Sequence, residues 1–270
     1  MPTTPTGMYW ESRGSEDAPP VLLIEGFTGQ LIGWREAFCD LLAAADLRVL
    51  RMDNRDIGYS RHEPVPSAYT IADMANDVVD VVTDAGLSQV TLVGQSMGGM
   101  IAQHTALDHP DIVAGAVLFY TTPTLADITP EVLTAEPAQS TTREEAIAEF
   151  LEGDSGTTSP AYGYDNAWKR ELAGRMWDRD SSRAGIRNQR DAIRRLKDLQ
   201  PRLSELTIPV SLIHGRDDAL ISPRGSLRIA EHVPHSELHL YPGMGHEIAP
   251  ALWPDYVNVI ARTTQKANEH

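Results

Sequence analysis

The chain has 270 residues, 41% hydrophobic and 23% charged, enough to bury one full-sized core with room for an inserted subdomain. Its formal net charge of −15 repels phosphate backbones and anionic bilayers, so nucleic acid and membrane are excluded as expected partners. The single cysteine, Cys39, excludes an internal disulfide and a cysteine-based zinc site.

Residues 1–7 contain neither a basic residue nor an apolar run, so neither a signal peptide nor a spanning helix is expected, and the protein reads as soluble and cytoplasmic. From there, short β-branched runs alternate with helical patterns, the mark of βαβ units and a mostly parallel sheet. Strands are expected at 8–13, 21–25, 47–52, 90–93, 114–120, 210–214 and 237–241. Helices are expected at 34–45, 71–85, 96–107, 223–231 and 248–264. The second of these helices opens on Thr70 with Asp73 three residues later, a cap ahead of the apolar run Met74, Val78, Val81 and Val82.

Between Tyr120 and Val210 the strand signal disappears, which predicts a helical cap at 124–204 inserted into a core built from 1–123 and 205–270. Charge supports the division: 125–204 holds 12 basic and 14 acidic residues, against 11 and 24 elsewhere. A helix expected at 182–199 puts Arg183, Arg187, Arg190 and Arg194 on one face, read as a solvated stripe, with Ile186, Ile193 and Leu196 nearer the other.

Three segments carry chemistry. Strand 90–93 runs into Gly94-Gln95-Ser96-Met97-Gly98-Gly99 and then a helix, so a serine sits on a tight strand-to-helix turn with its hydroxyl above the sheet. Strand 21–25 ends in Gly26-Phe27-Thr28-Gly29, whose freed backbone can curl over that turn. Acyl transfer needs two N–H donors for the developing oxyanion, and the candidates are the N–H groups of Phe27 and Met97. Beyond the next two strands lie the adjacent carboxylates Asp217 and Asp218, and then His246, all at carboxyl ends of strands where an open α/β sheet builds its site. Histidine, with an ordinary pKa of about 6.5, is suited to take a serine proton and return it to a leaving group. The other histidines read as structural or exposed; His232, His235 and His239 straddle a strand entry and lack a matching carboxylate motif, so no metal is expected. Tyr120, Tyr162, Tyr164, Trp168, Met176 and Trp177 are candidates to line a pocket under the cap.

With these segments the chain resembles the α/β-hydrolase superfamily over 7–123 and 206–266, including Asp53-Asn54-Arg55-Asp56-Ile57-Gly58-Tyr59-Ser60, which is similar to that family's D-x-R-G-x-G-x-S turn. Within it, R-D-x-G-x-S and G-x-S-M-G look most like the aclacinomycin methylesterase group. The resemblance implies acyl-enzyme hydrolysis without a cofactor, with Ser96 as nucleophile, His246 as base and Asp218 behind it. The offsets of H-G-x-x-D-x-x-V-x-P from His214 select Asp218 over Asp217. The alternative acid position, after the strand that follows the elbow helix, reads Tyr120-Thr121-Thr122 with no carboxylate before Asp127. Two departures stand out: Glu25 replaces a common histidine ahead of the oxyanion glycine, and Asp56 replaces a glycine.

The expected substrate is a small to mid-sized, largely apolar carboxylic ester or lactone, such as a secondary metabolite. The alternatives on the same fold are a cofactor-free lyase, a C–C hydrolase or a perhydrolase. Outside enzymes, the alternative is a ligand-binding protein that keeps the triad as a relic.

Overall fold

The β-branched runs pair into one sheet in a computed structural model that describes residues 3–134 and 140–269. Its strands are β1 (Trp10–Arg13), β2 (Pro20–Ile24), β3 (Arg48–Met52), β4 (Val90–Gln95), β5 (Val113–Phe119), β6 (Val210–Gly215) and β7 (Glu237–Tyr241). They lie in the order β1-β3-β2-β4-β5-β6-β7, with β1 antiparallel at one edge and every other pairing parallel. All seven expected strands are present. Parallel strands must be covered on both faces, which is why β2 and β4 are near-continuous apolar runs. Helices α1 (Glu36–Ala44) and α9 (Trp253–Asn268) cover one face through Phe38, Leu42, Tyr256 and Ile260. Helices α2 (Ile71–Asp84), α3 (Met97–Asp108) and α8 (Arg224–His232) cover the other through Val78, Ile101 and Ile229.

The ends of the elements differ from the sequence reading in ways that bear on the site. Strand β4 continues to Gln95, so the serine turn springs directly from the sheet. Strand β5 stops at Phe119 because Tyr120 takes a positive φ of 33°. The last helix starts at Trp253, after a 3-10 turn at Pro250–Leu252 that admits Pro254 in its first turn. The Thr70 and Asp73 capping box forms as the spacing predicts.

Between β5 and β6 the described residues form α4 (Pro130–Thr134), α5 (Arg143–Ser155), α6 (Asn166–Arg179) and α7 (Ala184–Arg194). Residues 135–139, part of the expected cap, lie outside the described residues. Helix α7 ends at Arg194, short of the expected 199. Its arginines do not form one solvated stripe: Arg187 and Arg194 are exposed, but Arg190 is only 3% exposed. The reason is that α7 packs on polar loops as well as on the core. Buried Asn188 bonds Asp56 Oδ2 at 3.0 Å, and buried Gln189 donates to Arg55 O at 2.9 Å.

Helix α6 is held to the core by charge. Arg175 meets Glu36 at 2.9 Å, Arg35 meets Asp165 at 2.9 Å, and Arg179 bonds Asp53 and the Gln30 side chain. The 53–60 turn is in turn clamped to α2, where Arg55 grips Asp77 through two contacts of 2.5 and 2.7 Å with both side chains buried. Removing one member of such a pair leaves an uncompensated buried charge. Asp77→Ala is therefore expected to cost about 3–5 kcal/mol of unfolding free energy, read from urea denaturation.

Candidate active site

The elbow is built by exclusion of side chains. Ser96 has φ 54° and ψ −118°, outside the ordinary regions for a residue with a β-carbon. The turn is held by its neighbours: Ser96 N–H donates to Phe119 O at 3.0 Å, and Ser96 O accepts from Thr121 Oγ1 at 2.8 Å. A β-carbon at Gly98 would fall 2.2 Å from Ile24 O, and one at Gly94 would fall 2.3 Å from Gly98 O. Only glycine lets α3 start this close to β2 and β4. The start of α3 then directs unspent N–H groups and the positive end of the helix toward the serine.

Across the site, His246 Nδ1 lies 2.7 Å from Asp218 Oδ2. Asp218 Oδ1 accepts from the N–H groups of Leu220 and Ile221 at 2.8 and 3.0 Å. His214, completely buried, shares its Nε2 between Ile221 O at 3.0 Å and Asp218 Oδ2 at 3.3 Å, while its Nδ1 meets Ser226 Oγ at 2.7 Å. Burial alone would raise the Asp218 pKa, but the charge of His246 and the hydrogen bonds from His214, His246 and Ile221 outweigh it, so the carboxyl stays well below the usual range. Asp217 points away, with its side chain 55% exposed. His214 was read from sequence only as structural or exposed, and nothing in its local pattern reveals that it braces the acid. Asp127, the first carboxylate beyond the empty alternative acid position, accepts from Arg228 Nε at 2.7 Å, and among the described residues makes no hydrogen bond to His246.

The loop after β2 supplies the roof. Among the described residues, no hydrogen bond takes the N–H of Phe27 or of Met97, so both predicted oxyanion donors are unspent. Thr28, at φ 67°, is pinned by its N–H to Gln189 Oε1 at 3.1 Å, and Asn54 Nδ2 holds Glu25 O at 2.9 Å. Glu25 is 5% exposed. Its Oε2 accepts from Gly26 N–H at 3.2 Å and Gln95 Nε2 at 2.7 Å, and Gln95 in turn accepts from the Tyr120 hydroxyl. Burial pushes the Glu25 carboxyl up to about 8, the Gly26 N–H works against this, and the charge of Asp53 adds to it.

Two cavities meet at this roof. One, of about 310 Å³, contains Ser96, Met97 and His246 and is walled by Met100, Ile128, Val132, Ile193, Leu220 and Ile221. The second, of about 170 Å³, contains His246 but not Ser96 and is bordered by Trp34, Trp168, Met176 and several charged groups. The sequence-predicted pocket residues divide accordingly. Trp168 and Met176 border the second cavity, while Phe27, expected as an oxyanion donor, borders both. Tyr120 borders neither: 1% exposed, it lies beneath the imidazole of His246 with ring centres 4.5 Å apart. Tyr162 and Tyr164 also miss both cavities. Tyr162 donates to Pro242 O at 3.0 Å, and Tyr164 is 41% exposed. Trp177 is half-buried on α6 and borders neither cavity. Tyr120 lies just past β5, Tyr162 and Tyr164 in and after a 3-10 turn, and only Trp177 on a helix face turned elsewhere, so the apolar wall comes from aliphatic Ile128, Val132 and Ile193. Of that wall, Ile193 was legible as part of the apolar face of its helix, and Ile221 as the apolar residue three places after the acid.

The chain matches the alpha/beta hydrolase fold family over residues 19–250 and belongs to it. Among curated relatives, a Variovorax paradoxus protein named carbamate hydrolase RutD is 30% identical over 249 residues, covering 88% of this chain and 89% of its own length. Solved structures extend the likeness in shape alone. An esterase from Rhodococcus sp. ECU1013 shares 22% identity at a TM-score of 0.73, covering 97% of this chain and 94% of that one. A meta-cleavage product hydrolase from Pseudomonas fluorescens IP01 shares 21% at a TM-score of 0.76, covering 97% and 95%. The protein is thus a hydrolase of the α/β fold. Among the described residues no helix is long and apolar enough to cross a membrane.

The Glu25 carboxyl carries a sign that denaturation can read. Its folded pKa, about 8, lies above the ordinary 4.5, so the native state keeps a proton that the unfolded chain releases. The stability this contributes is fully present below pH 4.5 and is lost as pH rises toward 8. Glu25→Gln cannot ionise. Its melting temperature relative to wild type should therefore be higher at pH 8.5 than at pH 5, and an equal difference at both pH values would mean the carboxyl is not held neutral.

Proposed function

We propose that Ser96, His246 and Asp218 form a catalytic triad that hydrolyses a carboxylic ester or lactone through an acyl-enzyme, with residues 124–204 acting as the cap over the substrate. One observation carries this reading: a serine on a strained strand-to-helix turn shares an apolar cavity of about 310 Å³ with a histidine whose far nitrogen is bonded to a buried carboxylate. Asp218 holds the His246 proton on Nδ1 and leaves Nε2 as the base. Ser96 Oγ gives its proton to Nε2 and attacks the carbonyl carbon. The oxygen that gains charge is received by the N–H groups of Phe27 and Met97, and His246 then protonates the departing oxygen. Water repeats the sequence to release the acid. The aliphatic walls favour an apolar acyl group.

The finer likeness to aclacinomycin methylesterases rests on the R-D-x-G-x-S and G-x-S-M-G motifs and favours an ester. The relative named carbamate hydrolase supports a second reading, in which the carbonyl bears nitrogen and the same attack cleaves a carbamate. Parallel assays on a butyrate ester and a carbamate of the same alcohol decide between them.

Ser96→Ala is expected to lower turnover of p-nitrophenyl butyrate about a million-fold, and a fluorophosphonate probe should label the native chain but not the variant. Retention of a tenth of the activity would remove serine catalysis. For the acid, Asp218→Asn should cost about ten-thousand-fold by favouring the wrong histidine tautomer, while Asp217→Asn changes turnover little. The opposite order, measured at matched folded concentration, would move the acid to Asp217.

A further inference from the structure

The second cavity, of about 170 Å³, has a lining unlike the first. Three acids border it, Glu25, Asp154 and Glu247, with two other charged side chains, Arg35 and Lys169. Both cations are already committed. Lys169 Nζ lies 2.7 Å from Asp154 and 3.3 Å from Glu247, so two carboxylates share one ammonium. Arg35 meets Asp165 at 2.9 Å and stacks 3.7 Å over Trp168. An anionic ligand would lose its water and find no cation except by breaking one of these pairs. Hydrogen-bonding capacity, by contrast, is left over just behind the lining. Trp34 is 1% exposed and Glu25 5% exposed, yet the Trp34 indole N–H and Glu25 Oε1 have no hydrogen-bond partner among the described residues. Native proteins seldom leave such groups unpaired, because each costs its full desolvation. The cavity volume is many times the ~10–15 Å³ that a single water needs.

Position says which half of a substrate belongs there. On the triad reading, the ester C–O bond breaks with its electron pair going to the leaving oxygen, and the proton that neutralises it comes from His246 Nε2. The leaving oxygen must therefore lie within hydrogen-bond reach of His246 Nε2, and the rest of the leaving group extends past His246 from there. The smaller cavity borders His246 and excludes Ser96, while the larger one holds Ser96 and the aliphatic wall.

We propose that the smaller cavity is the leaving-group site and that it selects an uncharged, hydrogen-bonding group, such as an amide or hydroxyl, over an anionic or purely apolar one. This rests on the triad reading above. A raised Glu25 pKa agrees with it, since a neutral carboxyl can donate to a ligand carbonyl.

Three butyrate esters of matched shape test the proposal with the full chain: those of glycolamide, glycolic acid and isobutanol. Each kcat/KM is divided by that ester's hydroxide-catalysed rate, which removes intrinsic reactivity. The glycolamide ester should exceed the glycolate ester by about tenfold or more and the isobutyl ester by about threefold or more. Equal or reversed order for either pair overturns the proposal. Asp154→Asn, which removes one lining charge, should narrow the glycolamide-to-glycolate ratio by about threefold or more. If that variant fails to fold by circular dichroism, Glu247→Gln makes the same test, and an unchanged ratio in a folded variant counts against the assignment. A wild type that hydrolyses none of the esters and escapes fluorophosphonate labelling sinks the triad reading together with this one. A labelled, active enzyme with the wrong order sinks only this one.

Discussion

The site depends on how closely α3 approaches the sheet. Ile24 O sits where a β-carbon on Gly98 would have to go, and Gly98 O sits where one on Gly94 would have to go, so the chain can reverse from β4 into α3 only through a residue at φ 54°. That residue is Ser96. The backbone strain is held by hydrogen bonds to Phe119 and Thr121 on β5 and just beyond it, so the Ser96 hydroxyl is presented by the central strands of the sheet. The same close approach places the N–H of Met97 opposite the 26–29 loop, and so the serine and the proposed oxyanion donors share one steric cause.

Buried charge does the second part of the work. Asp53 accepts from Leu31 N–H at 2.7 Å and Tyr59 N–H at 3.0 Å and also meets Arg179 of α6, so one carboxylate ties the β2 loop, the 53–60 turn and a helix of the insertion together. Asp56 stands where the family has glycine and keeps the positive φ, 70°, that glycine would supply. It is stabilised there by Glu63 N–H at 2.6 Å and Asn188 at 3.0 Å. A substitution that costs backbone energy thus adds an anchor for α7. Glu25 follows the same pattern with a different outcome: set between two cavities and walled by Gly29 and Gly33, it forms no ion pair among the described residues, and burial raises its pKa.

Much of this was legible along the chain because it is local. A seven-strand order of elements, the elbow glycines and the capping box each depend on residues within a few positions of one another, where propensity and sterics act directly. The pocket was less legible. Its wall is assembled from α4, α7 and the loop after β6, and whether Trp168 or Ile193 faces a cavity depends on the rotation of a helix against neighbours that a linear pattern does not name. The arginine stripe of α7 failed for that reason: Arg190 sits on a face turned to protein, while Arg187 and Arg194 face solvent.

By itself, the sequence determined the parallel sheet, the serine turn, the loop that roofs it, and the order of serine, acid and histidine, since each is written in short-range periodicity and in glycines that tight turns require. Only the tertiary structure decided that His214 joins His246 on Asp218, that Glu25 forms no ion pair among the described residues, and that the space around His246 splits into an aliphatic chamber and one of mixed charged and aromatic lining. Those outcomes turn on distances between groups as many as 222 residues apart, such as Glu25 and Glu247. A pKa or a cavity lining is a property of such neighbourhoods, because desolvation and Coulomb terms depend on what surrounds a group in space and not on what precedes it in the chain.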